Sequence, residues 1–184
     1  MTNMENEQTE KRERRKHKLP VAIEDTELLK IMKVARHKHH KLAYLLAWYS
    51  SCRISEVLNI EPRDINWQDK TILIRQGKNS KDRIVPLPEV FIEPMLELLP
   101  LKKLIKARAL QKAFKLDCKN AGILEYKPSA HFHSLRHGFA THGLTQGMDI
   151  SELQILMGHE NIATTSIYCH MKPIKALQSY RGKF

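Results

Sequence analysis

The chain has 184 residues and 42% hydrophobic content, enough for one domain with its own core rather than a small scaffold held by disulfides. Its 31 Lys and Arg against 20 Asp and Glu give a formal charge of +11, which points to a polyanionic partner, nucleic acid first, although charge alone does not exclude a merely soluble basic protein. Cys52, Cys118 and Cys169 fall in no metal spacing and read as reduced thiols, no apolar run spans a bilayer, and the charged start MTNMENEQTEKRERR lacks a signal-peptide core; a cytoplasmic, DNA-associated protein with no membrane partner is expected.

Residues 1–18 are polar and end in KRERRKHK, so they are expected to form a disordered basic tail, either touching DNA phosphates or simply solvated. The fold is expected over residues 19–184. Asp25 or Thr26 caps a first helix running to about Ala35, which the cluster Arg36 to Lys41 breaks. LAYLLAWYSS is apolar nearly all round and reads as a buried helix. A third helix follows Cys52-Arg53 and stops before Pro62. Thr71–Arg75 and Arg83–Leu87 are β-branched runs joined by a polar, Gly-containing turn, and Asp64–Asn66 adds a third strand. Helices are then expected at about Val90–Leu99, Lys102–Lys119, Ser134–Leu144 (stopped by Gly147) and over ELQILM, capped by Asp149 or Ser151. Asn161 to Tyr168 reads as a short helix capped by Thr164, and IKALQSY, after Pro173, as a last one. The fold class is therefore α+β, mostly helical, with a small three-stranded antiparallel sheet carrying a basic hairpin tip.

The densest chemistry lies in HFHSLRHGFATHG. His133 and His137, at i and i+4, have a spacing that can bind zinc, but no Glu stands between them to act as base. Arg136 would also repel a cation, so no metal is expected. His137 and His142 read as ordinary core or surface histidines. Arg136 and His133 together suit an oxyanion, which Arg binds bidentately at all working pH values. Arg53, between apolar helices, also calls for an anion, with Glu56 three residues on to orient it. Lys78, at the hairpin tip, could reach a substrate as a general acid or could be a solvated charge. Tyr168 would need neighbouring arginines and a histidine to become a nucleophile.

In order, SCRISEVLNI, GKNSKDRIVPLP, HSLRHGFATHGL and LQILMGHENIATTSIYCHM resemble the catalytic domain of tyrosine recombinases, the family of phage integrases and Xer-type resolvases. The resemblance covers Leu19 to Met171 and implies that fold and a site-specific DNA recombinase. By it, Arg53 and Arg136 clamp the scissile phosphate, Lys78 is the general acid, and His133 is a general base or phosphate donor. His159 hydrogen-bonds or packs on the phosphate, Glu56 supports, and Tyr168 is the nucleophile of a 3′-phosphotyrosyl intermediate. Neither ATP, metal nor cofactor is implied. The partners implied are double-stranded DNA, a tetramer of the chain on paired sites, and in some settings an accessory protein. Pro173 to Phe184 falls where relatives exchange a C-terminal helix. Two departures stand out. Ser51 occupies a position where the family commonly has Gly, and the N-terminal DNA-clamping domain is expected to be absent. Alternative readings are a catalytically silent DNA-binding regulator and a type IB topoisomerase-like DNA relaxase.

Overall fold

The computed structural model describes residues 20–75, 82–159 and 161–170. The basic tail, Lys78 and the helix expected after Pro173 lie outside the described residues.

Helix α1 spans Asp25–Val34. Its cap is Glu24 rather than Asp25 or Thr26, because the Glu27 carboxylate reaches back to accept from the Glu24 backbone N–H at 2.7 Å. Helix α2, Lys38–Tyr49, begins inside the basic cluster, with His37 as its N-cap, and buries Leu42, Ala43, Tyr44, Leu46, Ala47 and Trp48. That all-round apolar surface makes it the central helix of the domain. Helix α3 is short, Ile54–Asn59, and starts immediately after Arg53.

Three antiparallel strands follow in the order β1 (Ile65–Asn66), β2 (Thr71–Ile74), β3 (Arg83–Pro86). Ile74 is registered against Arg83 and Thr71 against Pro86. The alternation of β2 sends Ile72 and Ile74 into the core with Val85.

The helix expected at Val90–Leu99 is instead a 3-10 helix, Glu93–Leu98, with a proline in its first turn. The next also differs. Leu101–Lys103 is a separate 3-10 turn, and helix α4 runs over Ala107–Asn120. Leu101 is fully buried while Leu104 is turned out to 51% exposure, so the chain re-enters a helix in a new phase that buries Leu110 and Phe114. Tyr44 of α2 donates to the buried Asp117 of α4 at 2.8 Å.

Helix α5, His133–Thr145, crosses α2 closely. A Cβ at Gly138 would lie 2.1 Å from the Ile23 carbonyl oxygen and 2.5 Å from Trp48 Nε1, two atoms that are themselves hydrogen-bonded at 2.9 Å. Only Gly allows that approach, and it fixes the height of α5, and so of Arg136, against α2. Helix α6, Ile150–Met157, is capped by Asp149, as expected, with Glu152 completing a capping box. Helix α7, Ile162–Ser166, is capped by the Asn161 side chain rather than Thr164, and a 3-10 turn over Ile167–His170 carries Tyr168. A second small core holds Phe139, Ala140, Leu153, Met157 and Tyr168, so the tyrosine is packed between α5 and α6. No helix among the described residues is long and apolar enough to cross a membrane.

Candidate active site

Three arginines distant in sequence meet at the C-terminal end of α6. Arg83 donates through Nε to the Leu156 carbonyl at 3.1 Å, Arg136 through Nη2 to the Met157 carbonyl, and Arg53 through Nη2 to the Gly158 carbonyl at 3.2 Å. The last carbonyls of a helix have no partner within it and carry the negative end of its dipole. A helix end that takes three guanidiniums in a row is thus held as one block with them. Gly158 allows this geometry, because it sits in the left-handed region at φ +60° and a Cβ there would come 2.9 Å from Arg83 Cδ.

Glu56 is the counter-charge. Its two oxygens accept from Arg83 Nη1 and Nη2, both at 2.7 Å. They also accept from Arg53 Nη1 at 2.8 Å and from the Arg53 backbone N–H at 2.7 Å. Burial alone would raise its pKa, but the hydrogen bonds and charge of Arg83, and then of Arg53, outweigh it and hold the carboxyl down to about 2. Glu56 thus binds Arg83 as well as Arg53, the arginine it was expected to orient. Arg83 was not anticipated. In sequence it is one more cation beside a hairpin, and only the fold puts it across from Glu56.

Arg136 is 1% exposed and among the largest fully buried side chains. Besides Met157, it donates through Nη1 to the Ser51 carbonyl at 2.5 Å, while its Nε–H has no protein partner. Burial, then the neighbouring Arg53 charge, lowers its pKa to about 10, still cationic at neutral pH. Ser51 presents that carbonyl from a left-handed backbone, φ 54°. The Ser-for-Gly departure therefore falls where the chain takes a Gly-favoured conformation.

The histidines divide. His159 shares a hydrogen bond between Nδ1 and Thr165 Oγ1 at 2.9 Å, and its main-chain carbonyl accepts from Gln154 Nε2 at 3.0 Å. Burial, then Arg136 and Arg53, lowers its pKa to about 4. His133 is exposed at the start of α5; partial desolvation, then Arg136, His131 and Arg53, brings it to about 4. Tyr168 is 2% exposed and its hydroxyl lies 2.7 Å from Nδ1 of His137. Burial pushes the phenol up to about 12, against the pull of Arg136. His137, read from sequence as ordinary, is therefore the histidine in contact with the tyrosine; a signal was available in its place next to Arg136. His142 packs on Trp48 with ring centroids 5.0 Å apart. Among the described residues, no group of three or more His, Cys, Asp or Glu is arranged to hold a metal ion.

With three guanidiniums against one carboxylate, the cluster carries about two net positive charges, and Arg53 keeps 24% of its side chain open. Its chemical capacity is to hold an anion such as a phosphodiester.

A family model described as the phage integrase family matches residues 22–174, most of the chain. The chain belongs to the phage integrase family. Among relatives in the family, the tyrosine recombinase XerA of Pyrococcus horikoshii is 33% identical over 161 residues, covering 82% of this chain and 56% of the relative. The chain thus spans little more than half the length of that relative. A XerA recombinase crystal structure superposes with a TM-score of 0.71 at 25% identity, over 90% of this chain and 66% of the other. A XerH recombinase bound to its difH substrate gives 0.72 at 24% identity, over 89% and 53%. The catalytic domain of bacteriophage HP1 integrase gives 0.63 at 21%, over 88% of this chain and 94% of that domain, so the fold is that of integrase-family catalytic domains.

Proposed function

We propose that this chain carries the catalytic centre of a site-specific DNA recombinase that cuts and rejoins double-stranded DNA through Tyr168. The observation that carries the reading is the convergence of Arg53, Arg83 and Arg136 on one helix end and one carboxylate, next to a buried tyrosine hydroxyl. A phosphodiester supplies the missing anion. Arg53 and Arg136 hold its non-bridging oxygens, and His133 and His159 line the same pocket as neutral donors. The Tyr168 oxygen attacks phosphorus, a P–O bond to tyrosine forms, and the bond to the 5′-oxygen breaks. Lys78, five positions before Arg83 in the sequence, protonates that oxygen. The exchange conserves one phosphodiester bond, so it draws on neither ATP nor a metal. Its catalysis is charge stabilisation by groups already in place. Glu56 and Arg83 act through Arg53, as positioning residues. In this reading, a tetramer assembles on paired sites.

The test is covalent trapping on a library of nicked DNA duplexes. The wild-type chain is expected to form an adduct that Tyr168→Phe abolishes while DNA binding persists. Arg53→Ala and Arg136→Ala should slow the adduct by about 10²-fold or more. An adduct that survives Tyr168→Phe overturns the assignment. Binding without any adduct favours a silent DNA-binding regulator, and plasmid relaxation without strand exchange favours a topoisomerase-like enzyme.

A further inference from the structure

The reaction above requires Tyr168 to lose a proton, and at 2% exposure bulk water is not a ready acceptor. The group in contact with the hydroxyl is His137, through Nδ1 at 2.7 Å, with the rings 5.7 Å apart. His137 in turn meets His133 edge to face, with centroids 4.7 Å apart at 89°. His131 lies 6.4 Å from both rings. Exposure rises along this series: Tyr168 is buried, His137 half-buried, His133 and His131 exposed. His133 and His137 share one face of α5 at i, i+4, and Arg136 is the chain neighbour of His137. The Arg136 charge also bears on both His133 and His137, so a phosphate held by Arg136 is held within electrostatic reach of this series.

We propose that His137 accepts the proton of Tyr168 as it attacks, and that His133 and His131 pass that proton to solvent. The proposal rests on the recombinase reading and moves the base from His133 to His137, leaving His133 to face the phosphate. Neutral His137, with its hydrogen on Nε2, takes the phenol hydrogen bond at Nδ1. As the oxygen–phosphorus bond forms, the O–H bond breaks and its proton joins the Nδ1 lone pair. The resulting imidazolium releases its Nε2 proton toward His133. The leaving 5′-oxygen takes a separate proton from the general acid, which regains one from solvent, so the site returns to its starting charge. Without DNA, His137 is a poor base. Burial, then His133, His131, Arg136 and His159, all disfavour a positive charge on it. A phosphodiester anion counters those positive charges, so the acceptor gains basicity when substrate is bound.

The test uses the full chain and a nicked duplex selected for wild-type adduct formation. His137→Asn keeps a hydrogen-bond acceptor near the Nδ1 position but takes up no proton. It is expected to bind DNA as wild type does and to form the adduct about 10²-fold more slowly. Replacing Tyr168 with 3,5-difluorotyrosine, a more acidic phenol, should recover at least about tenfold of that loss and change the His137-containing chain little. His137→Asn at the wild-type rate overturns the proposal. So does a slow His137→Asn that the acidic phenol does not rescue, since that is the mark of a positioning role. Should His137→Asn not fold, a fluorotyrosine series in the otherwise unaltered chain reads the same point. A rate nearly flat in phenol acidity supports an internal acceptor, and a steep rise with acidity refutes it. Absence of any adduct in the wild-type chain would instead sink the recombinase reading itself.

Discussion

Replacing Glu56 by Gln removes the one carboxylate among three guanidiniums while keeping the size of the side chain. Its pKa falls from 4.5 to about 2 on folding, which corresponds to about 3 kcal/mol of stability at pH 7. The side chain is 5% exposed, so solvent screening removes little of this. Losing one partner of a buried ion pair typically costs about 3–5 kcal/mol, a figure of the same size reached independently. The pKa is depressed, so the contribution is complete above the unfolded value and fades as pH falls toward the folded one; about 1 kcal/mol remains at pH 3. Urea unfolding of both proteins at pH 7 and at pH 3 is the assay. With a slope of about 2 kcal/mol/M, the midpoint should drop by about 1.5 M at pH 7 and by clearly less at pH 3. A cost below about 1 kcal/mol at pH 7, or one of equal size at both pH values, would refute the view that the Glu56 charge holds the arginine cluster together.

Gly158→Ala should destabilise the chain by about 1–2 kcal/mol and displace Arg83, since it combines a left-handed backbone with a 2.9 Å contact; thermal melting and adduct rate read the two effects, and an unchanged melting temperature would count against the helix-end block. Ser51→Gly relieves a left-handed residue and removes a buried hydroxyl with no hydrogen-bond partner, so it should stabilise by about 1 kcal/mol in denaturant unfolding; a loss of stability would show that the hydroxyl has a role here. His133, His137 and His159 all have folded pKa values below 6.5, so the unfolded chain takes up protons first and stability should already fall as pH drops from about 7 toward 4, before carboxylates titrate. His137→Asn should flatten that slope, and a melting temperature that stays level down to pH 5 would contradict the neutral state of these rings.

The residues at the site show how far local information reaches. Arg53, Glu56, Arg136, His159 and Tyr168 could be singled out from the chain because each sits in a short motif with its own local logic. Glu56 is one helical turn from Arg53, and the Gly158-His159 pair closes a helix. The capping box at Asp149 and the β-branched alternation of β2 and β3 are likewise decided by neighbours a few residues apart. Misplaced caps at α1 and α7 reflect a choice among adjacent polar residues that side-chain reach settles.

By itself, then, the sequence determined most element types, though not the 3-10 turns between Glu93 and Lys103, as well as the α+β class, the excess positive charge and the residue chemistry suited to a phosphate. Those follow from periodicity, capping and composition, all short-range. Tertiary structure alone decided that Arg83 lies across from Glu56, 27 positions away, and that Arg136 reaches Ser51, 85 positions back. It also decided that Tyr168 bonds to His137 rather than His133. The physical reason is the close crossing of α2 and α5 at Gly138, together with the folding of α6 back onto the strands. Packing of apolar faces sets that geometry, and the positions of the charged groups follow from it.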